Sequence, residues 1–215
     1  DSKRDGKWTT YYVSGQIKDE ENYIDGNKVG VWSNYSEDGN KDGKWTWYNE
    51  KGQLNREVNY IDSKRDGKWT TYYVSGQIKD EENYIDGKLN GKMTSFYENG
   101  QLEVKENYLG GKLDGKMIAY YENSQLKENG NYKDGKLNGK MITYYENGQI
   151  MIKGNYINGK EDGKMITYYE NGQIMIKGNY INGKEDGKWI TYNENGENIK
   201  VDTYNKGNIE TTKKY

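Results

Sequence analysis

Residues Gly139–Asp162 read GKMITYYENGQIMIKGNYINGKED, and the same 24 residues recur without a change at Gly163–Asp186. Another identical pair, Asp1–Gly26 and Asp62–Gly87, lies nearer the amino terminus. Such tandem identity indicates that one supersecondary unit is stacked many times. With the leading glycine called position 0, units begin at Gly6, Gly30, Gly43, Gly67, Gly91, Gly115, Gly139, Gly163 and Gly187. Each step is 24 residues except the 13 from Gly30, so we predict one continuous repeat array over residues 1–215 with a truncated unit at Gly30.

Each repeat has the pattern of a β-hairpin. Positions 1–6, KMITYY in the unit at Gly139, are rich in β-branched and aromatic residues and too short for a helix. A Glu-Asn-Gly turn and a second strand such as QIMIKGNYI follow. Position 9 is glycine everywhere except at Ser124, whereas position 8 varies, so only one turn residue needs a left-handed backbone. This pattern favours a three-residue loop ending in a G1 bulge, with position 5 opposite position 11, as in Tyr144 opposite Ile150.

The succession of hairpins predicts the fold class. We expect an all-β protein, an elongated single-layer antiparallel meander of tandem 24-residue hairpins. The acidic return loops, such as Asn182–Gly187, lack the alternating ligands of a calcium loop. Asp, Asn and Gly are also what tight turns require, so these loops are interpreted as turns, and neither a metal site nor a cofactor is predicted.

Composition argues against several classes of function. Histidine and cysteine are absent, which removes the commonest general base and thiolate chemistry. A chain of near-identical units also offers no place for a single active site, so the protein is predicted not to be an enzyme. The 32 basic and 34 acidic residues are interleaved, with no visible basic stripe for nucleic acid. No apolar run is long enough to predict a transmembrane segment.

The aromatic positions supply the candidate binding site. Position 2 is always Trp or Met, and position 17 is Tyr in all eight full units. Position 5 is always aromatic, and Phe96 indicates that a ring is needed there but a hydroxyl is not. These rings are either the core or the floor of a groove that binds a partner, since aromatic residues dominate interface energetics. The candidate ladder is Tyr11, Tyr35, Tyr48, Tyr72, Phe96, Tyr120, Tyr144, Tyr168 and Tyr192.

Three further expectations concern faces and exceptions. Strict alternation puts positions 5, 11 and 17 on one face and positions 2 and 6 on the other, so either both faces are apolar or a bulge rotates position 2 inward. Charged strand positions, such as Lys153 and Glu81, are interpreted as a solvated face that opposes edge-to-edge association. The truncated unit predicts a kink or a shortened hairpin, and Gly30–Tyr60 is the segment expected to be specialised.

At these residues the chain resembles a known family. The pattern Y-Y-E-N-G-Q-[IL] followed by N-Y-x-x-G-K-x-x-G-K-[WM] is similar to the bacterial variant of the MORN repeat, and it covers Gly6 to about Gly207. Tyr156, Gly159 and Gly163 occupy the aromatic and glycine positions of that motif. The resemblance implies an elongated, grooved sheet that serves as a scaffold for protein or lipid contacts, and some members are antitoxin components. A weaker likeness joins the chain to aromatic–glycine repeats that bind cell walls.

These observations lead to one functional hypothesis and two alternatives. We expect a non-catalytic binding or scaffold protein that engages a protein partner along the aromatic groove, secreted or at the surface of a bacterial cell. That location is inferred from the start without methionine, the absent cysteines and the near-identical copies. The alternatives are a module that binds glycan or cell wall with the same rings, and a cytoplasmic antitoxin-like protein.

Overall fold

The computed structural model describes residues 3–215, and every regular element in that range is a β-strand. This finding confirms the predicted all-β meander of hairpins. The strands are β1 Gly6–Tyr11, β2 Ile17–Ile24, β3 Asn27–Lys28, β4 Gly30–Asn34, β5 Gly43–Tyr48, β6 Leu54–Ile61, β7 Lys64–Tyr72, β8 Ile78–Ile85, β9 Lys88–Leu89, β10 Gly91–Phe96, β11 Leu102–Leu109, β12 Lys112–Leu113, β13 Gly115–Tyr120, β14 Leu126–Lys133, β15 Lys136–Leu137, β16 Gly139–Tyr144, β17 Ile150–Ile157, β18 Lys160–Glu161, β19 Gly163–Tyr168, β20 Ile174–Ile181, β21 Lys184–Tyr192, β22 Asn198–Asn205 and β23 Asn208–Lys214.

The chain falls into two compact units. The first comprises Asp1–Leu102 with Tyr108–Gly111, and the second comprises Glu103–Asn107 with Lys112–Tyr215. In the first unit the antiparallel pairs are β1–β2, β2–β3, β2–β4, β4–β5, β5–β6, β6–β7, β7–β8, β8–β9 and β8–β10. In the second they are β11–β13, β13–β14, β14–β15, β14–β16, β16–β17, β17–β18, β17–β19, β19–β20, β20–β21, β21–β22 and β22–β23. That all repeats form one continuous array stays a prediction.

The hairpin turns have the predicted form. In the unit at Gly139, the Gly148 amide donates to the Tyr145 carbonyl at 2.9 Å and the Tyr145 amide donates to the Gln149 carbonyl at 2.8 Å. Gly148 has φ 85, the left-handed conformation of a G1 bulge. Ser124, the exception at position 9, is held at φ 67. Tyr144 lies opposite Ile150, as expected.

The return turns are two-residue loops that stack on the preceding repeat. Asn158 and Gly159 both have positive φ, 52 and 82, which defines a type I′ turn. The Gly159 amide donates to the Leu137 carbonyl at 2.8 Å, and the Asn158 amide approaches the Asn138 side-chain oxygen at 3.3 Å. Each return turn is therefore anchored to residues about one repeat earlier in the chain.

A bulge in the second strand decides which side chains share a face. Thr143 pairs with Ile152 but Tyr144 pairs with Ile150, so Met151 is an extra residue on β17. Directly paired residues lie on the same face, so the bulge carries position 17 to the face of position 2. We call that side the packed face (positions 2, 4, 13, 15 and 17) and the opposite side the ladder face (positions 1, 3, 5, 11, 14 and 16). Both faces carry aromatic rings. The sequence had suggested, as one alternative, a bulge that changes the face of position 2, but the bulge changes the face of position 17 instead.

The packed face holds most of the core. Trp45 is 6% exposed and Val58 is 2% exposed, and the Trp45 ring meets Tyr60 at 5.6 Å. In the last repeats Trp189 meets Tyr180 edge-on at 4.9 Å. Space for the Trp189 ring comes from Gly178 at position 15 of the preceding repeat. A Cβ atom on Gly178 would lie 2.1 Å from the Trp189 ring.

The truncated unit exchanges the two faces. Its single strand β4 pairs with β2, where Asn34 lies opposite Asp19, and also with β5, where Trp32 lies opposite Thr46. A tight loop with a bridge between Tyr35 and Lys41 follows, so the structure has the shortened form expected from the sequence. Because one strand replaces two, the packed face of the first repeat continues into the ladder face of the repeat at Gly43.

Ring contacts agree with this exchange. Trp32 contacts Tyr23 of the first packed face at 5.2 Å and Tyr48 of the following ladder face at 5.7 Å. Tyr35, a position 5 ring, meets Trp45 of the packed face at 5.2 Å. The topology therefore changes at the truncated unit, whereas Gly43–Tyr60 forms a regular hairpin, and a specialised role for Gly30–Tyr60 stays a prediction.

Candidate binding face

The structure does not place all nine candidate rings on one surface. Tyr11 and Tyr35 precede the exchange at β4, so they lie on the opposite side of the first unit from Tyr48 and Tyr72. Phe96 shares the side of Tyr48 and Tyr72, because β10 pairs with β8 in the regular register. In the second unit Tyr120, Tyr144, Tyr168 and Tyr192 lie together on the ladder face.

The four rings of the second unit are partly exposed, and all but Tyr192, which lies opposite Asn198, have an apolar partner on the neighbouring strand. Tyr144 and Tyr168 lie opposite Ile150 and Ile174. All element pairs in substantial contact are neighbouring strands of the meander, so no further layer packs over this face within the described unit. A partner could therefore reach the rings without displacing another element.

A second set of tyrosines, at position 6, fixes the ladder in place. The Tyr121 hydroxyl donates to the Tyr144 carbonyl at 2.7 Å, and the Tyr145 hydroxyl donates to the Tyr168 carbonyl at 2.7 Å. The Tyr169 hydroxyl does the same to the Tyr192 carbonyl at 2.8 Å. Each repeat thus holds the backbone of the next ladder residue. The sequence indicated position 6 only as an aromatic position on the opposite face and missed this role, although a tyrosine recurs at position 6 of six repeats.

A row of lysine and isoleucine crosses the same face of the second unit. Lys153 lies between Ile142 and Ile166 on neighbouring strands, and Lys177 lies between Ile166 and Ile190. Followed from strand to strand across the unit, the residues that lie opposite one another are Lys105, Ile118, Asn129, Ile142, Lys153, Ile166, Lys177, Ile190, Val201 and Lys213. We call these ten residues the lysine–isoleucine row.

Further lysines lie beside this row at position 1. Lys116, Lys140, Lys164 and Lys188 pair with Asn131, Asn155, Asn179 and Thr203. In the described part of the second unit, neither these positions nor the lysine–isoleucine row contains a carboxylate. The ion pair between Lys200 and Asp202, at 2.6 Å, lies on the packed face. The ladder face of this unit is therefore cationic and apolar.

The equivalent row in the first unit has the opposite character. Pairings there run Thr46, Glu57, Thr70, Glu81 and Thr94. The position 1 lysines form ion pairs with these glutamates, Lys44 with Glu57 and Lys68 with Glu81. Glu57 also accepts from the Tyr72 hydroxyl at 3.0 Å. Burial, with this hydrogen bond, raises the pKa of Tyr72 to about 12.

No basic stripe is visible along the sequence, but the folded second unit has one on its ladder face. Lys153 and Lys177 are 24 residues apart in the chain and only two strands apart in the sheet. Aligning position 14 over all repeats, where Glu57 and Glu81 give way to Lys153 and Lys177, would have revealed the row.

The packed faces also differ between the units. Arg65 lies 4.1 Å from the Trp69 ring centroid and Lys41 lies 4.5 Å from that of Trp45, which are favourable cation–π distances. The equivalent residues in the second unit are leucine or glutamate, as in Leu137 and Glu161. Burial is the main cause that raises the pKa of Tyr156, and the nearby Glu161 adds to it.

A cleft of about 370 Å³ opens on the ladder face of the second unit. Lys164, Lys177 and Lys188 surround it, and Ile166 and Ile190 form its apolar wall. Gly178 and Asn179 complete the lining. Cationic and apolar groups therefore converge at this cleft.

Two searches of the described residues concern other kinds of site. No group of three or more His, Cys, Asp or Glu residues in residues 3–215 could hold a metal ion. Over the same range, no helix has the length and hydrophobicity needed to cross a bilayer.

Sequence comparison defines the class of protein. The MORN repeat variant profile matches residues 4–25, 41–62, 65–86, 89–109, 113–134, 137–158 and 161–182. This chain therefore belongs to the MORN repeat variant family, as predicted. MORN repeats are generally non-enzymatic binding or scaffold repeats that contact proteins or membrane lipids. No curated protein matches the chain.

Two solved structures are among those that resemble the chain. A crystal structure of TcdB2-TccC3-Cdc42 is 15% identical over 86% of this chain, with a TM-score of 0.20. One of TcdB2-TccC3-TEV is 14% identical over 91%, with a TM-score of 0.23. The chain spans only 13% and 14% of those two proteins' own length.

Proposed function

We propose that this chain is a non-catalytic scaffold that holds a protein partner against the ladder face of its second unit. The observation that carries the proposal is the set of four partly exposed tyrosines on one face, which no other element of the unit covers. Tyrosine provides a large contact area with few side-chain torsions to fix, and it is enriched among the residues that dominate binding energy.

The rigidity of the face supports the same proposal. Hydroxyl donors such as Tyr145 hold the backbone of the ladder, and the hairpin turns are linked from one repeat to the next. For example, the Asn147 side-chain amide donates to the Glu170 carbonyl at 3.0 Å. A surface that is already ordered loses little conformational entropy when a partner binds.

Photo-cross-linking from opposite faces tests the proposal. A photoreactive phenylalanine analogue would replace Tyr168 on the ladder face or, as the matched control, Tyr180 on the packed face. We expect the Tyr168 position to give one major protein adduct in cells that make this protein, and the Tyr180 position to give none. Equal adducts from both positions would contradict the proposal.

Quantitative binding to the identified partner follows. Removing two rings, Tyr144→Ala with Tyr168→Ala, should raise Kd at least about tenfold, since hot-spot rings contribute about 2 kcal/mol or more. The corresponding phenylalanine variants should bind nearly as well as the parent, because Phe96 already occupies the equivalent position. Retention on insoluble peptidoglycan, lost in the alanine variants, would favour the glycan-binding alternative. The cell-surface location and the antitoxin-like alternative stay predictions.

A further inference from the structure

We infer that the partner segment on this face is an extended acidic polypeptide that carries apolar side chains between its carboxylates. This inference rests on the proposed function and names the chemistry of the partner. It is based on the lysine–isoleucine row, the position 1 lysines beside it and the cleft at Lys164, Lys177 and Lys188.

The charges of the row are available to a ligand. Lys140, Lys153, Lys164 and Lys188 are exposed, and in the described part of the chain none of them is ion-paired with a carboxylate. Lys177 lies 5.1 Å from the Tyr192 ring centroid, a cation–π contact that leaves its charge uncompensated. In the first unit the position 1 lysines Lys44 and Lys68 are instead neutralised by ion pairs with Glu57 and Glu81. Of the two ladder faces, that of the second unit is therefore the one with uncompensated lysines.

The alternation within the row specifies more than charge. One strand, which carries Ile166, lies between the strands of Lys153 and Lys177. The two lysines are therefore two strands, or about 10 Å, apart. A polypeptide in the extended polyproline II conformation advances about 9 Å in three residues, and its side chains return to the same side at every third residue. A segment with a carboxylate at every third residue could therefore meet successive lysines and place apolar side chains over Ile166 and Ile190.

The edge of the sheet distinguishes a narrow chain from a broad anionic surface. Exposed glutamates occupy position 7 of each hairpin turn in the second unit, as in Glu146, Glu170 and Glu194. A membrane or a nucleic-acid duplex that extended beyond the row would meet these like charges. A single polypeptide running across the strands could remain over the lysines, so the observations favour a polypeptide.

The test uses the full chain and a fluorescent 15-residue peptide of repeated Glu-Val-Ser. We expect saturable binding that weakens steeply between low and moderate salt, since exposed charges are screened. The variant Lys164→Glu with Lys177→Glu and Lys188→Glu should raise Kd at least tenfold. A matched variant in the last three repeats, Lys160→Glu with Lys184→Glu and Lys206→Glu, changes the charge equally at the return turns, away from the row. It should raise Kd less than threefold.

Several outcomes would overturn the inference. These are equal losses in both triple variants, equal binding of a Lys-Val-Ser peptide, and binding of oligo(dT) or phosphatidylserine vesicles without binding of the acidic peptide. Failure here leaves the proposed function standing if cross-linking still depends on Tyr168. Conversely, peptide binding without any ladder-face protein adduct would show that the proposed function has failed and the acidic-peptide site has not.

Discussion

The Tyr145 hydroxyl lies 2.7 Å from the backbone carbonyl oxygen of Tyr168, 23 residues further along the chain. This hydrogen bond joins one hairpin to the next at the ladder itself. Equivalent bonds at Tyr121 and Tyr169 make it a property of the repeat. The residues that stack the hairpins thus also fix the spacing of the candidate binding surface.

Removal of this hydroxyl should lower stability. We expect Tyr145→Phe to reduce the free energy of unfolding by about 0.5–1.5 kcal/mol, the usual net value of one hydrogen bond. Urea denaturation of the full chain measures the change. The neighbouring substitution Tyr144→Phe is the matched control and should have little effect, because Phe96 shows that position 5 tolerates loss of the hydroxyl. Equal effects at both positions would argue against the inter-repeat bond.

The fit between Gly178 and Trp189 gives a second prediction. A Cβ atom at residue 178 would lie 2.1 Å from the indole ring, so Gly178→Ala should destabilise the protein by about 1–3 kcal/mol through overpacking. At Gly154 the same atom would meet the flexible end of Met165 at 2.8 Å, so Gly154→Ala should cost less. Adding Trp189→Met to Gly178→Ala should restore part of the loss, and a double-mutant cycle in urea measures it.

Alkaline pH should weaken the first unit. Burial and a hydrogen bond to Glu82 raise the pKa of Tyr84 from 10.0 to about 12. The folded protein therefore keeps this proton at pH values where the unfolded chain has lost it. Its contribution is complete below pH 10 and is lost as the pH rises towards 12. Stability measured at pH 9, 10.5 and 11.5 should fall less in Tyr84→Phe than in the parent, whereas parallel curves would contradict this assignment.

The length of the repeat predicts the outcome of internal deletions. Removing Gly139–Asp162 joins Asn138 to Gly163, and since the two segments are identical the strand pairings can re-form. We expect a folded, slightly less stable protein, because stability in such arrays is approximately a sum of unit and interface terms. Removing only 12 residues should disrupt strand order. Circular dichroism and thermal unfolding distinguish the two, and collapse of the 24-residue deletion would contradict the repeat model.

Much of this fold could be predicted from the sequence because local chemistry determines it. Glycine at position 9 with a variable position 8 indicated the G1 bulge, and Tyr144 does lie opposite Ile150. The bulge at Met151 could not be predicted in this way. Such a bulge can use an ordinary right-handed backbone, so no glycine marks it. Strict alternation therefore predicted that Tyr156 and Tyr144 share a face, whereas the bulge puts them on opposite faces.

The candidate site was only partly visible for a different reason. The ring positions could be identified along the chain, but the exchange of faces at β4, which separates Tyr35 from Tyr48, depends on strand pairing between repeats. Lys153 and Lys177 were interpreted as a solvated face because each was considered within its own strand. Their row exists only across strands, where residues distant in the chain become neighbours.

Because the chain has no cysteine, single thiols can test directly which face binds the partner. Lys164→Cys places a thiol on the ladder face, and Glu161→Cys places one three residues earlier on the packed face. Each variant would be coupled to a polyethylene glycol maleimide. Its affinity for the partner identified by photo-cross-linking would be measured before and after the coupling. We predict that coupling abolishes binding in Lys164→Cys and leaves it unchanged in Glu161→Cys. Loss of binding only in Glu161→Cys, or in neither variant, would contradict the assignment of the ladder face.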